Sequence, residues 1–443
     1  MVRPSAPPPG SGGPRRPVDV AFGTLLAANL IAVPASLVAP VLDSVAGAMT
    51  LAAAAVGLLK VRPMQRLLGW ALIGCGGAAL AAAGVLGARP AWTDLLALNQ
   101  TLLGMLAAVT FVRLITRNGP EAASRLTGVG AVWRTAAIVQ LLGSVINASA
   151  VALVGDRLRR GGKLDMADAS LLSRAYSPGA FWSPFWGASA AALTYAAGAQ
   201  SGALLVCGGL LAAATFVCSV AMVVPRFGRH LAHYRGYPMS PSVLVLPGAM
   251  AALVIGLHLL LPSVRLAVVV LVVSLVVPLA VLAVVSPRRL PSIVGGHIVD
   301  GLRPMHGEVV LFTGAGVLSV GLRILFDTLD VTMPIEHYTV WLAWISVILM
   351  TAVSLVGVHP VISIAVSASL LGSTVLEEPT LFAFAGTIAW GTSAAVGPIS
   401  GLNVFLAGRF GISGFEVARH NTSYLAVVIV LSLPALALCA KLT

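Results

Sequence analysis

The chain is dominated by apolar stretches of about twenty residues, each long enough to cross the hydrocarbon core of a bilayer as a helix. They lie at 20–41, 44–60, 66–87, 95–117, 168–198, 202–224, 242–261, 264–286, 307–329, 379–408 and 421–441. Composition agrees: 58% of the 443 residues are hydrophobic and 9% are charged, against roughly 25% charged in soluble domains. Soluble, disordered and outer-membrane barrel classes are excluded, since barrel strands alternate polar and apolar residues. The expected fold class is an all-α polytopic membrane protein. The net charge of +12 sets orientation, because basic residues collect in cytoplasmic loops; it does not point to nucleic acid. The four cysteines, Cys75, Cys207, Cys218 and Cys439, sit in apolar runs without metal-ligand spacing.

Two further apolar stretches, about 131–155 and 340–371, decide the topology. Arg113, Arg117, Arg125 and Arg134 precede or open the first; Arg157, Arg159, Arg160 and Lys163 follow it. A single crossing would strand one basic cluster outside. A hairpin that enters and leaves on the cytoplasmic side removes that conflict. The second stretch is flanked by acid, with Asp327, Asp330 and Glu336 before it and Glu377 and Glu378 after it. It reads as a hairpin entering from outside. Eleven spans plus two opposed hairpins result, in the bacterial-type inner (plasma) membrane with the N-terminus cytoplasmic. The division along the chain is a disordered tail at 1–18, a first half at 19–224, a cytoplasmic loop at 225–241 and a second half at 242–443. The first half holds the inner hairpin and a broken helix at 168–198. The second holds the outer hairpin and a broken helix at 379–408.

An internal repeat supports this division. At an offset of 214 residues, Gly143 falls on Gly357, Ser149 on Ser363, Pro184 on Pro398 and Gly187 on Gly401. Paired hairpins and Gly/Pro-interrupted spans are the sequence mark of an inverted-repeat transporter with its site near the midplane. Pro184 and Pro398 break their helices, freeing carbonyls at one half-helix end and N–H groups at the other. Free carbonyls suit a sodium ion, and N–H groups at a helix N-terminus suit an anion. The candidate substrate residues are therefore Asn147, Ser149, Ser183, His359, Ser363, Ser400 and Asn403. The candidate cation residues are Ser144, Pro184, Gly187, Gly357, Gly397 and Pro398. His359 is the single ionisable side chain in these clusters, suited to donating to an anion or taking up a proton. Packing alone also accounts for individual Ser and Gly residues in membrane helices, and Trp182, Trp186 and Trp390 are open between lining and packing. Without Asp or Glu in the clusters, an anionic or neutral solute fits better than a cation held by side chains. No catalytic residue and no cofactor is expected beyond Na⁺ or H⁺ as coupling ion.

Two hairpins of opposite sidedness, each followed by a broken helix, resemble the ion transporter superfamily, which includes divalent-anion/sodium symporters and arsenite efflux permeases. Those symporters carry Ser-Asn-Thr at each hairpin tip. Ile146-Asn147-Ala148-Ser149 is similar to the first copy, and Val358-His359-Pro360 stands in place of the second. The resemblance implies a homodimer with a static scaffold and a transport domain that moves across the bilayer like an elevator. The function so expected is cation-coupled secondary transport of a small carboxylate or oxyanion. Two other classes stay open: a membrane enzyme acting on a lipid-linked substrate, and a membrane subunit of a binding-protein-dependent transporter.

Overall fold

The computed structural model describes residues 16–96, 99–116, 126–159, 163–238, 242–331 and 335–443. Most of the expected disordered tail, residues 1–15, lies outside them. The described chain is all-helical, as the apolar runs dictate: in hydrocarbon a helix satisfies its backbone groups internally. Among the described residues, ten helices are long and apolar enough to span a membrane. The protein is a multi-pass membrane protein. The difference from eleven spans has a local cause. The stretch 168–198 is cut into three short helices, Leu244–Leu260 falls just short, and the first hairpin arm Val129–Ile146 is itself of spanning length.

The chain forms two compact units, each drawn from both chain halves. The first contains residues 1–117, 253–334 and 365–372. Its helices include Pro17–Ala35, Val41–Leu58, Pro63–Val85, Gln100–Phe111, Leu266–Val285 and His306–Thr328. Between the last two, residues 287–305 coil through short helical turns, including a π-turn at His297–Gly301, instead of an open loop. Helices Pro63–Val85 and His306–Thr328 meet backbone to backbone. A Cβ built on Gly321 would lie 2.3 Å from the Gly76 carbonyl oxygen, and one on Gly76 would lie 2.6 Å from the Val317 carbonyl. Gly69 and Gly314 continue the seam one heptad away. Small residues do this work in membranes because the lipid supplies no hydrophobic drive between helices. Helices Pro17–Ala35 and Val41–Leu58 are joined by a polar contact: the Asn29 side-chain amide donates to the Ala46 carbonyl at 3.2 Å and the Thr50 hydroxyl at 3.0 Å.

The second unit contains 118–252, 335–364 and 373–443. Its core helix is Pro379–Val396, with Gly401–Phe410 after a break. This stretch is the least apolar of the ten candidate spans and the most deeply buried. The two facts belong together, since a helix enclosed by protein need not present an apolar surface to lipid.

The glycine seam yields a test. Gly321→Val should destabilise the purified protein by about 1–3 kcal/mol, the usual cost of overpacking, read as a lowered thermal midpoint in detergent. Gly77→Val, where a Cβ meets nothing within 4 Å, should be close to neutral. Equal effects at the two positions would remove the seam as a packing determinant.

Candidate functional site

Every sequence-predicted site residue lies in the second unit. The first hairpin runs from Val129–Ile146 through a single turn residue, Asn147, into Ala148–Leu158. Asn147 has φ 52° and ψ −142°, a region almost reserved for glycine. It reverses the chain in one step and lets the two arms pack on each other. The first broken helix comprises Met166–Tyr176, Gly179–Trp182 and Gly187–Tyr195, with Ser183–Trp186 non-helical. Pro184 explains the position of the break, as it has no N–H to continue the ladder.

The hairpin tip closes that break. Ser183 Oγ donates to the Ser144 carbonyl, Trp186 Nε1 donates to the Gly143 carbonyl at 2.9 Å, and the Asn147 side-chain amide donates to the Phe185 carbonyl at 3.3 Å. Ser144, Asn147, Ser183 and Pro184 are thus brought together, with Gly187 opening the next half-helix. Ser183 and Ser144 are buried, so groups unpaired here would be costly.

The second copy repeats the arrangement. Its hairpin arms are Val340–Leu355 and Pro360–Leu371, joined through Val356–His359. Gly357 has φ 100°, and a Cβ there would run into the Ile399 side chain at 2.4 Å, so the tip sits on the break at Gly397–Ser400. Ser400 caps the half-helix Gly401–Phe410 by accepting the Asn403 backbone N–H at 3.2 Å, and its hydroxyl donates to the Ala394 carbonyl at 2.8 Å. The Asn403 side-chain amide donates to Gly397 O at 2.8 Å and to Ala395 O at 3.3 Å. Gly357, Gly397, Pro398, Ser400 and Asn403 therefore form the second cluster.

One bond occurs identically in both copies. Ser189 Oγ donates to the Ser183 carbonyl at 2.7 Å. Ser189 and Asn403 are equivalent at the 214-residue offset, and so are their acceptors Ser183 and Gly397. Each half-helix after a break is tied to a carbonyl released before it. Each of these carbonyls also accepts a backbone N–H, from Trp186 at 3.3 Å and from Ser400 at 3.0 Å, so both lone pairs are used.

The broken helices run antiparallel. Thr380, at the start of the second, accepts from Gln200 N just beyond the first, at 3.0 Å. Asn421 bridges Ala395 O, near the end of the second, to Ser173 on the first segment of the other, both at 3.1 Å. They cross where Gly391 meets Ser177: a Cβ on Gly391 would lie 2.8 Å from the Ser177 carbonyl. These two positions are also equivalent at the same offset. Contact between equivalent positions is what a two-fold arrangement requires where its axis passes. The breaks flank this crossing and, at 1.5 Å per residue, begin roughly 18 Å apart along the helices.

His359 is non-helical ahead of Pro360, as the proline demands. Its Nδ1 accepts the Val361 N–H at 3.2 Å, which puts the ring hydrogen on Nε2 and makes His359 an N-cap. The ring meets Trp390 edge-on at 4.9 Å. Ser149 and Ser363 occupy equivalent places on the second arms of the hairpins; the Ser363 hydroxyl is buried without a hydrogen-bond partner.

Two residues that sequence reasoning missed stand beside the second cluster. Arg174 is fully buried; its Nε donates to Asn421 Oδ1 at 2.9 Å. Asn421 in turn holds the Ala395 carbonyl just ahead of the break. A signal existed, since Arg174 is the sole basic residue within 168–198, and an ionisable group inside a span marks function by default.

A crystal structure of the YdaH transporter of Alcanivorax borkumensis is similar to this chain, with 14% identity, 84% of each chain covered and a TM-score of 0.46. No family model and no curated protein matches the chain.

The tip geometry makes a prediction. Asn147→Ala retains the strained backbone and loses the bond to Phe185, and should cost about 1–3 kcal/mol. Asn147→Gly relieves the backbone while losing the same bond, and should be markedly less destabilising. A chemical-denaturation or thermal series in detergent ranks the two, and the reverse order would remove the strained turn from the account.

Proposed function

We propose that the protein is a secondary transporter, and that its two hairpin-capped helix breaks hold a small anionic solute together with a coupling cation. The observation that carries this reading is the duplicated break: the same hydrogen bond, from Ser189 to Ser183 and from Asn403 to Gly397, at equivalent positions of two antiparallel broken helices. Membrane proteins keep non-helical backbone at depth where it is buried in protein or lines a polar cavity. Duplicated broken helices are the usual frame of a transport site.

Chemistry favours an anion. Each break presents a helix N-terminus, at Gly187 and at Gly401, whose N–H groups and dipole attract negative charge. Neither cluster contains Asp or Glu. The second amide hydrogen of Asn147, whose first goes to Phe185, and the buried hydroxyl of Ser363 are the groups available to a carboxylate or oxyanion, with His359 at the second tip. The Ala394 carbonyl, which takes one donor, and the Asn403 side-chain oxygen, buried without a partner, are the acceptors suited to sodium; proton coupling would use His359. The copies face opposite sides of the membrane in this reading, and one unit carries the solute past the other as a homodimeric elevator. The protein is a carrier, not an enzyme.

A thermal-shift screen of carboxylates and oxyanions identifies the stabilising solute, and proteoliposomes then test its movement. Accumulation driven by an inward sodium or proton gradient is the expected result. No accumulation of any such solute under either gradient contradicts the proposal. His359→Asn, which preserves an N-cap acceptor for Val361 but cannot titrate, should fold normally and flatten the pH dependence of uptake. Wild-type affinity and pH profile in that variant would make His359 a capping residue only.

A further inference from the structure

An open pocket of about 600 Å³ in the second unit stands apart from both breaks in its lining, and its walls are built for negative charge. Arg226, Arg419 and His420 line it, together with Ser170, Thr422 and Ser423. Arg226 donates to the His420 carbonyl at 3.0 Å and to Ser423 Oγ at 3.2 Å. Arg174, buried behind the wall, donates to the same two atoms at 2.6 and 2.8 Å. Two guanidinium groups therefore share two neutral acceptors.

No carboxylate balances them among the described residues. Asp168, on the same helix as Arg174, accepts from Tyr234 OH at 2.9 Å. Asp165 is exposed at the N-cap of that helix, and Glu416 meets His420 through its backbone carbonyl. Neither makes an ion pair with these arginines. Clustered positive charge of this kind repels itself unless an anion is bound.

Two more observations point into the same space. Ser170 is fully buried in the pocket wall, and its hydroxyl has no hydrogen-bond partner. The pocket also receives two helix N-termini. Met166 and Ala167 open the helix Met166–Tyr176, and Thr422 and Ser423 open the helix Thr422–Leu442. Their first-turn N–H groups have no partners within the helix and add positive dipole ends.

We propose that this pocket binds a phosphate group, either free or as the headgroup of an anionic lipid. Arg226 and Arg419 supply charge-assisted bonds to its oxygens. Ser170 and the helix N-termini supply neutral donors, and Arg174 fixes the wall at His420 and Ser423. Binding here would hold for a carrier and for an enzyme alike.

The test uses the full chain purified in uncharged detergent, with inorganic phosphate titrated against chloride at constant ionic strength, and in nanodiscs of phosphatidylcholine with or without phosphatidate. Phosphate should raise the thermal midpoint in a saturable way. The double substitution Arg226→Gln with Arg419→Gln, on exposed lining residues, should weaken apparent affinity about ten-fold or more. Arg229→Gln, in the same basic segment but outside the lining, should leave it unchanged. Stabilisation by inorganic phosphate supports a free phosphate ligand. Arginine-dependent stabilisation by phosphatidate alone supports a lipid headgroup. If neither probe stabilises, or if the double variant and Arg229→Gln behave alike, the pocket is not a phosphate site.

Discussion

Backbone polar groups inside a membrane must find partners, and the second unit is organised around two places where helices cannot supply them. Pro184 and Pro398 interrupt the ladder at equivalent points of two helices. The first break is bonded to its hairpin tip, and the second is bonded mainly within its own helix. A hairpin tip is laid on the break, and a side chain six residues later, Ser189 or Asn403, ties the new half-helix to a carbonyl of the old one. Each recovered bond contributes modestly, about 1 kcal/mol, but a buried group left unpaired costs more. The hairpins are therefore needed by the breaks, and the sequences of tip and break are coupled: the Gly143 carbonyl accepts from Trp186 Nε1, and Gly357 leaves room for Ile399.

Much of this was legible in the residues. Proline with flanking small residues marked both breaks, and the apolar stretches around 131–155 and 340–371 each fold as a pair of helices. The offset of 214 residues, seen first in a few Gly, Ser and Pro matches, also relates a hydrogen bond and the crossing of Ser177 with Gly391. Other features were hidden for physical reasons. Arg174 and Asn421 are 247 residues apart, and nothing local in either segment encodes their pairing. Apolar length alone could not show that 168–198 is three helices, or that the basic segment 287–305 coils tightly. Nor does chain order reveal the two compact units, since both take segments from both halves.

The two units use different packing chemistry. In the first, glycines seven residues apart bring two helices into backbone contact, which suits a rigid frame. In the second, small and polar residues surround a deeply buried helix, and hydrogen bonds between side chain and backbone do much of the holding. Such a unit keeps water-competent groups at depth without a charge of its own in the breaks. Its charge is gathered instead near Arg174 and Arg226, where guanidinium groups meet shared neutral acceptors.

The central claim is that the two hairpin-and-break copies face opposite sides of the bilayer. The antiparallel course of the broken helices requires their preceding segments, at Lys163 and Glu377, to lie on opposite faces. Single cysteines at these exposed positions, introduced into a chain with Cys75 and Cys218 replaced, can be labelled in intact cells with a membrane-impermeant maleimide. The account predicts labelling at position 377 from outside and at position 163 only after the membrane is permeabilised. Labelling of both positions from the same side would contradict it.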